Sequence, residues 1–264
     1  MRKFVLATCA FSALIAPAAA ADLPLRAVPP AFSWAGWYVG GNVGWKGLDT
    51  NMSSAPNDPA TTAFNTGCIT AGACPQAYGS SSGSGVIGGG QIGYNWQFSN
   101  WVAGVETDFQ GSYARATTTV ATSVAPFVPF TGTHQTQEDW LGTLRGRLGV
   151  LFTPTLLAYG TGGFAYSAVE RNWSGNFQSV AASSWFGSTT STLTGWTAGV
   201  GLEWAVGYGF TVGAEYLYVK LGGGDTFLTN IQGGACIPGP LCTFSIRGAD
   251  VTDNIVRAKL NYKF

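Results

Sequence analysis

The chain has 264 residues, with 13 Lys plus Arg set against 13 Asp plus Glu and a single His. Charged residues make up only 10% of it while aromatics reach 14%, against roughly 25% charged in an ordinary soluble domain. The balanced charge excludes a broad basic face for nucleic acid, and the shortage of charge argues against a surface that meets only water.

The N-terminus sets the compartment. Arg2 and Lys3 precede the apolar stretch FVLATCAFSALIAP (4–17), and Ala18-Ala19-Ala20 supplies small residues for cleavage. This is the pattern of a secretory signal peptide, residues 1–21, with cleavage expected near Ala20 or Ala21. A lipoprotein anchor at Cys9 is the alternative, but Cys9 sits in the middle of the apolar region with too little chain before it. Beyond the leader no run of ~20 apolar residues remains, so no transmembrane helix is expected. Residues 22–35 hold three prolines and no periodicity, and are expected to form an extended periplasmic lead-in to one domain over 36–264.

From residue 36 the chain alternates apolar and polar residues, the period-two signature of β-strands. The first strand, 36–47, puts Trp37, Val39, Val43 and Trp45 on one face and Tyr38, Asn42 and Lys46 on the other. The second, 85–98, and third, 101–114, are joined by the two-residue turn Ser99-Asn100 and carry Gln91, Asn95, Glu106, Asp108 and Gln110 on their polar faces. The fourth, 139–152, sends Trp140, Leu144 and Leu148 one way and Thr143, Arg145 and Arg147 the other, then turns at Thr153-Pro154 into the fifth, 155–168. Glycines blur the fifth strand, and its faces are not assigned. The sixth, 195–206, and seventh, 210–221, flank the turn Gly207-Tyr208-Gly209 and direct Glu203 and Glu215 to their polar faces. The eighth, 251–264, alternates strictly from Val256, with Arg257 and Lys259 opposite the apolar stripe, and ends on Phe264.

Long polar connections at 48–84, 115–137, 169–194 and 222–250 alternate with tight turns. That alternation is the layout of an outer-membrane β-barrel with short periplasmic turns and long external loops. A soluble sandwich would have shorter, more uniform loops. The fold class expected is therefore all-β, an eight-stranded antiparallel transmembrane β-barrel with four long external loops. In lipid every backbone polar group must be paired, which forces such a sheet to close.

The polar faces carry Glu106, Asp108, Glu203 and Glu215 against Arg145, Arg147, Arg257 and Lys259. An eight-stranded barrel is only wide enough for side chains to fill it, and lone buried charges cost several kcal/mol each. Four negatives against four positives are what a closed, ion-paired interior requires; solvated faces of a soluble sheet are the alternative. Aromatics near the strand ends, including Trp37, Trp101, Trp204, Tyr208 and Phe210, suit girdles at the two membrane interfaces.

Four cysteines remain after the leader, Cys68 with Cys74 and Cys236 with Cys242. In an exported protein they read as disulfides. Local pairing is the simpler choice, pairing between the two loops stays open, and a zinc site is the alternative. The glycine triplets Gly88-Gly89-Gly90 and Gly222-Gly223-Gly224 lack the following helix and Lys-Ser/Thr ending of a phosphate loop. His134, the single His, falls in an expected external loop and reads as a solvated residue, so no catalytic group and no enzyme activity are expected.

The motifs FSWAGWYVGGNVG (32–44), IGYNWQFSNWVAGVETDF (92–109), WLGTLRGRLG (140–149), AYGTGGFAY (158–166), GWTAGVGLEW (195–204) and AEYLYV (214–219) run through nearly the whole mature chain. Together they resemble the alphaproteobacterial outer-membrane immunogenic protein family, small porin-type proteins with an OmpA-like eight-stranded barrel. The resemblance implies a cell outer membrane location in a Gram-negative bacterium and a role as a surface antigen. It also implies a structural part in envelope integrity and surface contacts, with a narrow porin as the alternative. It implies outer-membrane lipid and lipopolysaccharide around the barrel, with periplasmic chaperones and the barrel-assembly machinery as folding partners. Neither cofactor, metal nor nucleic acid is expected. Tyr262 and Phe264 match the C-terminal assembly signal of such barrels.

Overall fold

The computed structural model describes residues 32–56, 80–122, 130–177, 183–223, 226–232 and 243–264. The leader and all four paired cysteines, Cys68, Cys74, Cys236 and Cys242, lie outside the described residues.

The strands are β1 (Gly36–Pro56), β2 (Ser80–Phe98), β3 (Trp101–Thr122), β4 (Phe130–Thr153), β5 (Leu156–Phe177), β6 (Ser183–Gly207), β7 (Phe210–Leu221), β8 (Thr226–Gln232) and β9 (Thr243–Lys263). Each pairs antiparallel with its neighbour, and β1 bonds both β2 and β9, so the sheet closes on itself. The short β8 pairs with β6 and β9, the same neighbours as β7, and continues β7 along the wall. The cylinder thus has eight wall positions, the all-β barrel expected. Its tight turns include Ser99-Asn100, where Phe98 pairs with Trp101, and Tyr208-Gly209, where Gly207 pairs with Phe210. Tyr208 at φ 53° and Gly209 at φ 82° both adopt left-handed backbone, which matches the strand twist across a two-residue hairpin.

The alternation is resolved into two unlike faces. Outward residues such as Trp37, Val43, Leu148, Val200, Val256 and Leu260 leave an apolar belt exposed around the ring. In water such a belt would be unstable; in lipid it is the solvent-facing surface. Inward residues fill the cylinder in three layers. At the end with the tight turns, Trp34, Val102, Leu157, Tyr159 and Ala205 form one apolar cluster. Charged residues occupy the middle. Further along the same strands a second apolar cluster includes Leu48, Ile87, Leu141, Leu193, Leu217, Leu221, Val251 and Ile255.

The strands run far past their expected ends. Segments read as loops at 115–137 and 169–194 are mostly strand, since β3 reaches Thr122, β4 starts at Phe130, β5 reaches Phe177 and β6 starts at Ser183. These extensions are polar on their outer face and mixed on their inner face, where Thr136, Glu138 and Arg171 stand beside Val169 and Trp173, so their hydropathy does not alternate. They were legible only as polar chain.

Candidate functional site

The middle layer is built from inward positions on five strands. β3 supplies Glu106 and Asp108, β4 Arg145 and Arg147, β6 Glu203, β7 Glu215, and β9 Arg257 and Lys259, all buried. Arg145 spans the network: its Nη2 donates to Glu106 Oε1 at 2.5 Å and to Asp108 Oδ2 at 2.7 Å, and its Nη1 to Glu215 Oε1 at 3.2 Å. Arg257 joins the same acids, with Nε donating to Glu215 Oε2 at 2.8 Å and Nη2 to Asp108 Oδ2 at 2.9 Å. Lys259 Nζ donates to both Glu106 oxygens at 2.7 and 2.8 Å. Arg147 Nη2 lies 3.1 Å from Glu203 Oε2. The eight charged residues identified from the sequence meet in one contiguous cluster.

Two tyrosines complete it. Tyr38 donates its hydroxyl to Glu106 Oε2 at 2.7 Å and accepts from Arg147 Nη1 at 3.0 Å. Tyr159 donates to Glu215 Oε1 at 2.9 Å, and its ring lies under the Arg147 guanidinium at 4.0 Å. Both rings need room. A Cβ at Gly93 would overlap the Tyr38 phenol, and one at Gly201 would lie 2.5 Å from the Tyr159 hydroxyl. Gly93 and Gly201 are therefore sockets for the two phenols, a use of glycine in strands that depends on close approach.

A second ionic group sits within the upper apolar cluster. Lys46 of β1 bridges Glu138 of β4 and Asp253 of β9, at 3.0 Å from Asp253 Oδ2. All three are wholly buried. Sequence reasoning placed Lys46 on the inner face but paired it with nothing, and missed both acids. Glu138 was hidden by a bulge: between Trp140 and Glu138 the register against β5 slips by one residue at Asp139. Below the slip odd-numbered residues point inward; above it even-numbered ones do. Asp253 continues the odd-numbered series of Arg257 and Lys259, a signal that counting two further turns of the alternation would have found. With Arg171 of β5 also buried, the described interior holds six acids and six bases.

His134 differs from its expected place. It lies on the inner face of β4, 3% exposed, where its ring tilts against Trp173 of β5 at 5.6 Å and its Nε2 accepts the Trp173 indole N–H. The reading of a solvated loop residue is corrected: the strand extension carries it into the wall. Burial pushes its imidazole down to about 4. Tyr262 and Phe264 sit outward at the rim with the tight turns, and Phe264 N donates to Trp37 O at 3.1 Å.

At its lower end the barrel is stopped by the segment ahead of β1. Trp34 is 2% exposed; its backbone N–H donates to Gln97 Oε1 at 2.8 Å and its indole to Pro154 O at 3.2 Å.

The chain is 34% identical over 244 residues to the 31 kDa outer-membrane immunogenic protein of Brucella melitensis, covering 91% of this chain and 88% of that protein. It is 29% identical over 193 residues to the 22 kDa outer membrane protein of Rhizobium leguminosarum, covering 72% and 66%. Among solved structures it is similar to the outer membrane protein OprG of Pseudomonas aeruginosa, at 12% identity and a TM-score of 0.43 over 87% of this chain and 97% of that one. The model of the outer membrane protein beta-barrel domain matches residues 6–264. With its closed ring, apolar belt and matched length, the chain belongs to the outer membrane protein β-barrel family and resides in the outer membrane of a Gram-negative bacterium.

Proposed function

We propose that the protein is a structural element of the outer membrane, a closed barrel that supports the envelope and presents its extended strands at the cell surface. The observation carrying this reading is the filled axis. Two apolar clusters cap an ionic layer in which Lys259 Nζ reaches across to Glu106 at 2.7 Å. Charges locked into mutual hydrogen bonds are poor ligands for a passing ion, because any ion entering must replace bonds made in a low dielectric. The role proposed is non-enzymatic.

The test is single-channel recording on the pure, refolded full chain in planar bilayers. The structural reading expects a quiet baseline. A reproducible ohmic step, abolished by charge reversal at Glu106 or Arg145, would replace it with the narrow porin.

A further inference from the structure

The Lys46 group is out of balance where the middle layer is not. In the middle layer Glu106, Asp108, Glu203 and Glu215 meet Arg145, Arg147, Arg257 and Lys259, one base for each acid. Further along the axis, Glu138 and Asp253 share the single cation Lys46, and all three side chains are wholly buried. Their cross-strand neighbours on the inner face carry no charge. Ala114 and Val169 flank Glu138, Leu48 and Val219 flank Asp253, and Gly85 and Ile255 flank Lys46. With both acids ionised, the group would hold one uncompensated negative charge inside an apolar cluster. A carboxylate in that position neutralises itself by taking up a proton.

The contacts locate that proton. Lys46 Nζ meets Glu138 at Oε2 and Asp253 at Oδ2, and lies nearer to Glu138. Glu138 therefore keeps the charge. The other two oxygens, Glu138 Oε1 and Asp253 Oδ1, are fully buried and receive no hydrogen bond among the described residues. The two carboxyl groups are within hydrogen-bonding reach of each other. Ionised carboxylates only accept hydrogen bonds, so two of them would repel at that range. One proton between them turns the repulsion into a bond.

No other charge takes the proton's place. The charged groups acting on Asp253 are Glu138 and Lys46. The inner face of β4 carries His134 four residues further up, and that of β5 carries Arg171, whose register partner is Thr136. The remaining strands contribute Ile87, Ala114, Leu193, Leu217 and Leu221 to the surrounding cluster, none of them titratable.

We infer that Glu138 and Asp253 form a proton-binding site. They share one proton at neutral pH, carried by Asp253, and with Lys46 they make a clasp that joins β1, β4 and β9 above the bulge at Asp139. The unfolded chain releases such a proton above about 4, whereas the folded chain keeps it. The clasp's contribution to stability is therefore full at low pH and is lost as rising pH strips Asp253. It loosens on the alkaline side of neutrality, where His134 is neutral in the folded and unfolded chains alike.

The experiment is infrared spectroscopy of the full chain refolded in micelles at neutral pH. The carbonyl stretch of an un-ionised carboxylic acid stands apart from the amide and carboxylate bands, and the wild type should show one such group per chain. Asp253→Asn and Glu138→Gln should each abolish it, because a single acid beside Lys46 ionises. Urea unfolding midpoints give a second reading. Either amide alone can donate the bond that the proton made, so each single variant should shift the midpoint little. The two together leave Lys46 without an anion and should lower it sharply. A wild type without the band, which is read on the unaltered protein whatever the variants do, would overturn the inference. So would a band that survives both single variants. Single losses that add up to the double one would also overturn it, since that is the result expected of two ionised acids.

Discussion

Lys259 on β9 and Glu106 on β3 lie 153 residues apart in sequence and on separate walls of the cylinder, yet their charged groups meet at 2.7 Å. The contact crosses the axis, and it sets the first prediction. Glu106 also binds Arg145, Tyr38 and, at 3.7 Å, Arg147. Glu106→Gln keeps the shape but leaves four cations facing an amide, Arg257 being the fourth at 3.8 Å, and should cost about 3–5 kcal/mol, the usual penalty for stranding buried charge. Urea unfolding midpoints of the folded barrel in micelles give the value. Adding Lys259→Met should recover part of the loss, because it removes one of the stranded cations. If the double variant were as unstable as the sum of the two singles, the contact would not be a coupled pair.

The Lys46 bridge behaves differently because it is alone in apolar surroundings. Lys46→Met leaves Glu138 and Asp253 facing each other with no cation between them. Destabilisation of about 3–5 kcal/mol is expected. The triple change Lys46→Met, Glu138→Gln, Asp253→Asn should restore most of it, since neutral amides of similar shape can bond one another across the gap. Failure of the triple variant to exceed the single one in midpoint would mean that Lys46 acts by packing its stem.

How much of this was legible follows from where alternation survives. Within the belt one face meets lipid and the other the filled axis, so Trp140, Leu144 and Leu148 separate cleanly from Arg145 and Arg147 in the bare sequence. Above the belt the outer face is polar and the inner face mixed, with Thr136, Glu138 and Arg171 among Val169, Trp173 and Leu193, and the period-two signal fades although the strands go on. That is why 115–137 reads as loop and why His134 reads as solvated. The bulge at Asp139 adds a second failure: parity counted upward from Arg145 sends Glu138 to the wrong face. The fifth strand resisted assignment because Gly160, Gly162 and Gly163 carry no side chain to mark a face.

His134 makes stability depend on pH. Its imidazole is held neutral to about 4 by burial, whereas in the unfolded chain it takes up a proton near its ordinary value of 6.5. Between those two values the unfolded state binds the extra proton, so stability should fall as pH drops from about 6.5 and level off below about 4. Protonating Nε2 also ends its role as acceptor for the Trp173 indole. His134→Gln should flatten this part of the profile, measured as unfolding midpoint against pH. An unchanged slope in that variant would assign the dependence to another group.

Trp34 tests whether the lower cap and the axial seal are separate devices. Its ring packs with Leu157, Tyr159, Val102 and Ala205, and its two hydrogen bonds anchor the lead-in to Gln97 and Pro154. Trp34→Ala removes a buried indole and should lower stability by about 3–5 kcal/mol. It should not make the barrel conduct. The ionic layer around Arg145 and the upper cluster around Leu141 and Ile255 both lie beyond the cap and make no bond to Trp34 among the described contacts. Unfolding midpoint and bilayer conductance, measured on the same preparation, distinguish the cases. Loss of stability with a quiet baseline fits an axial seal that holds without the cap, although Tyr159 touches both. A current that appears with Trp34→Ala alone would mean that the indole is the gate and that the charges above it are already permeable.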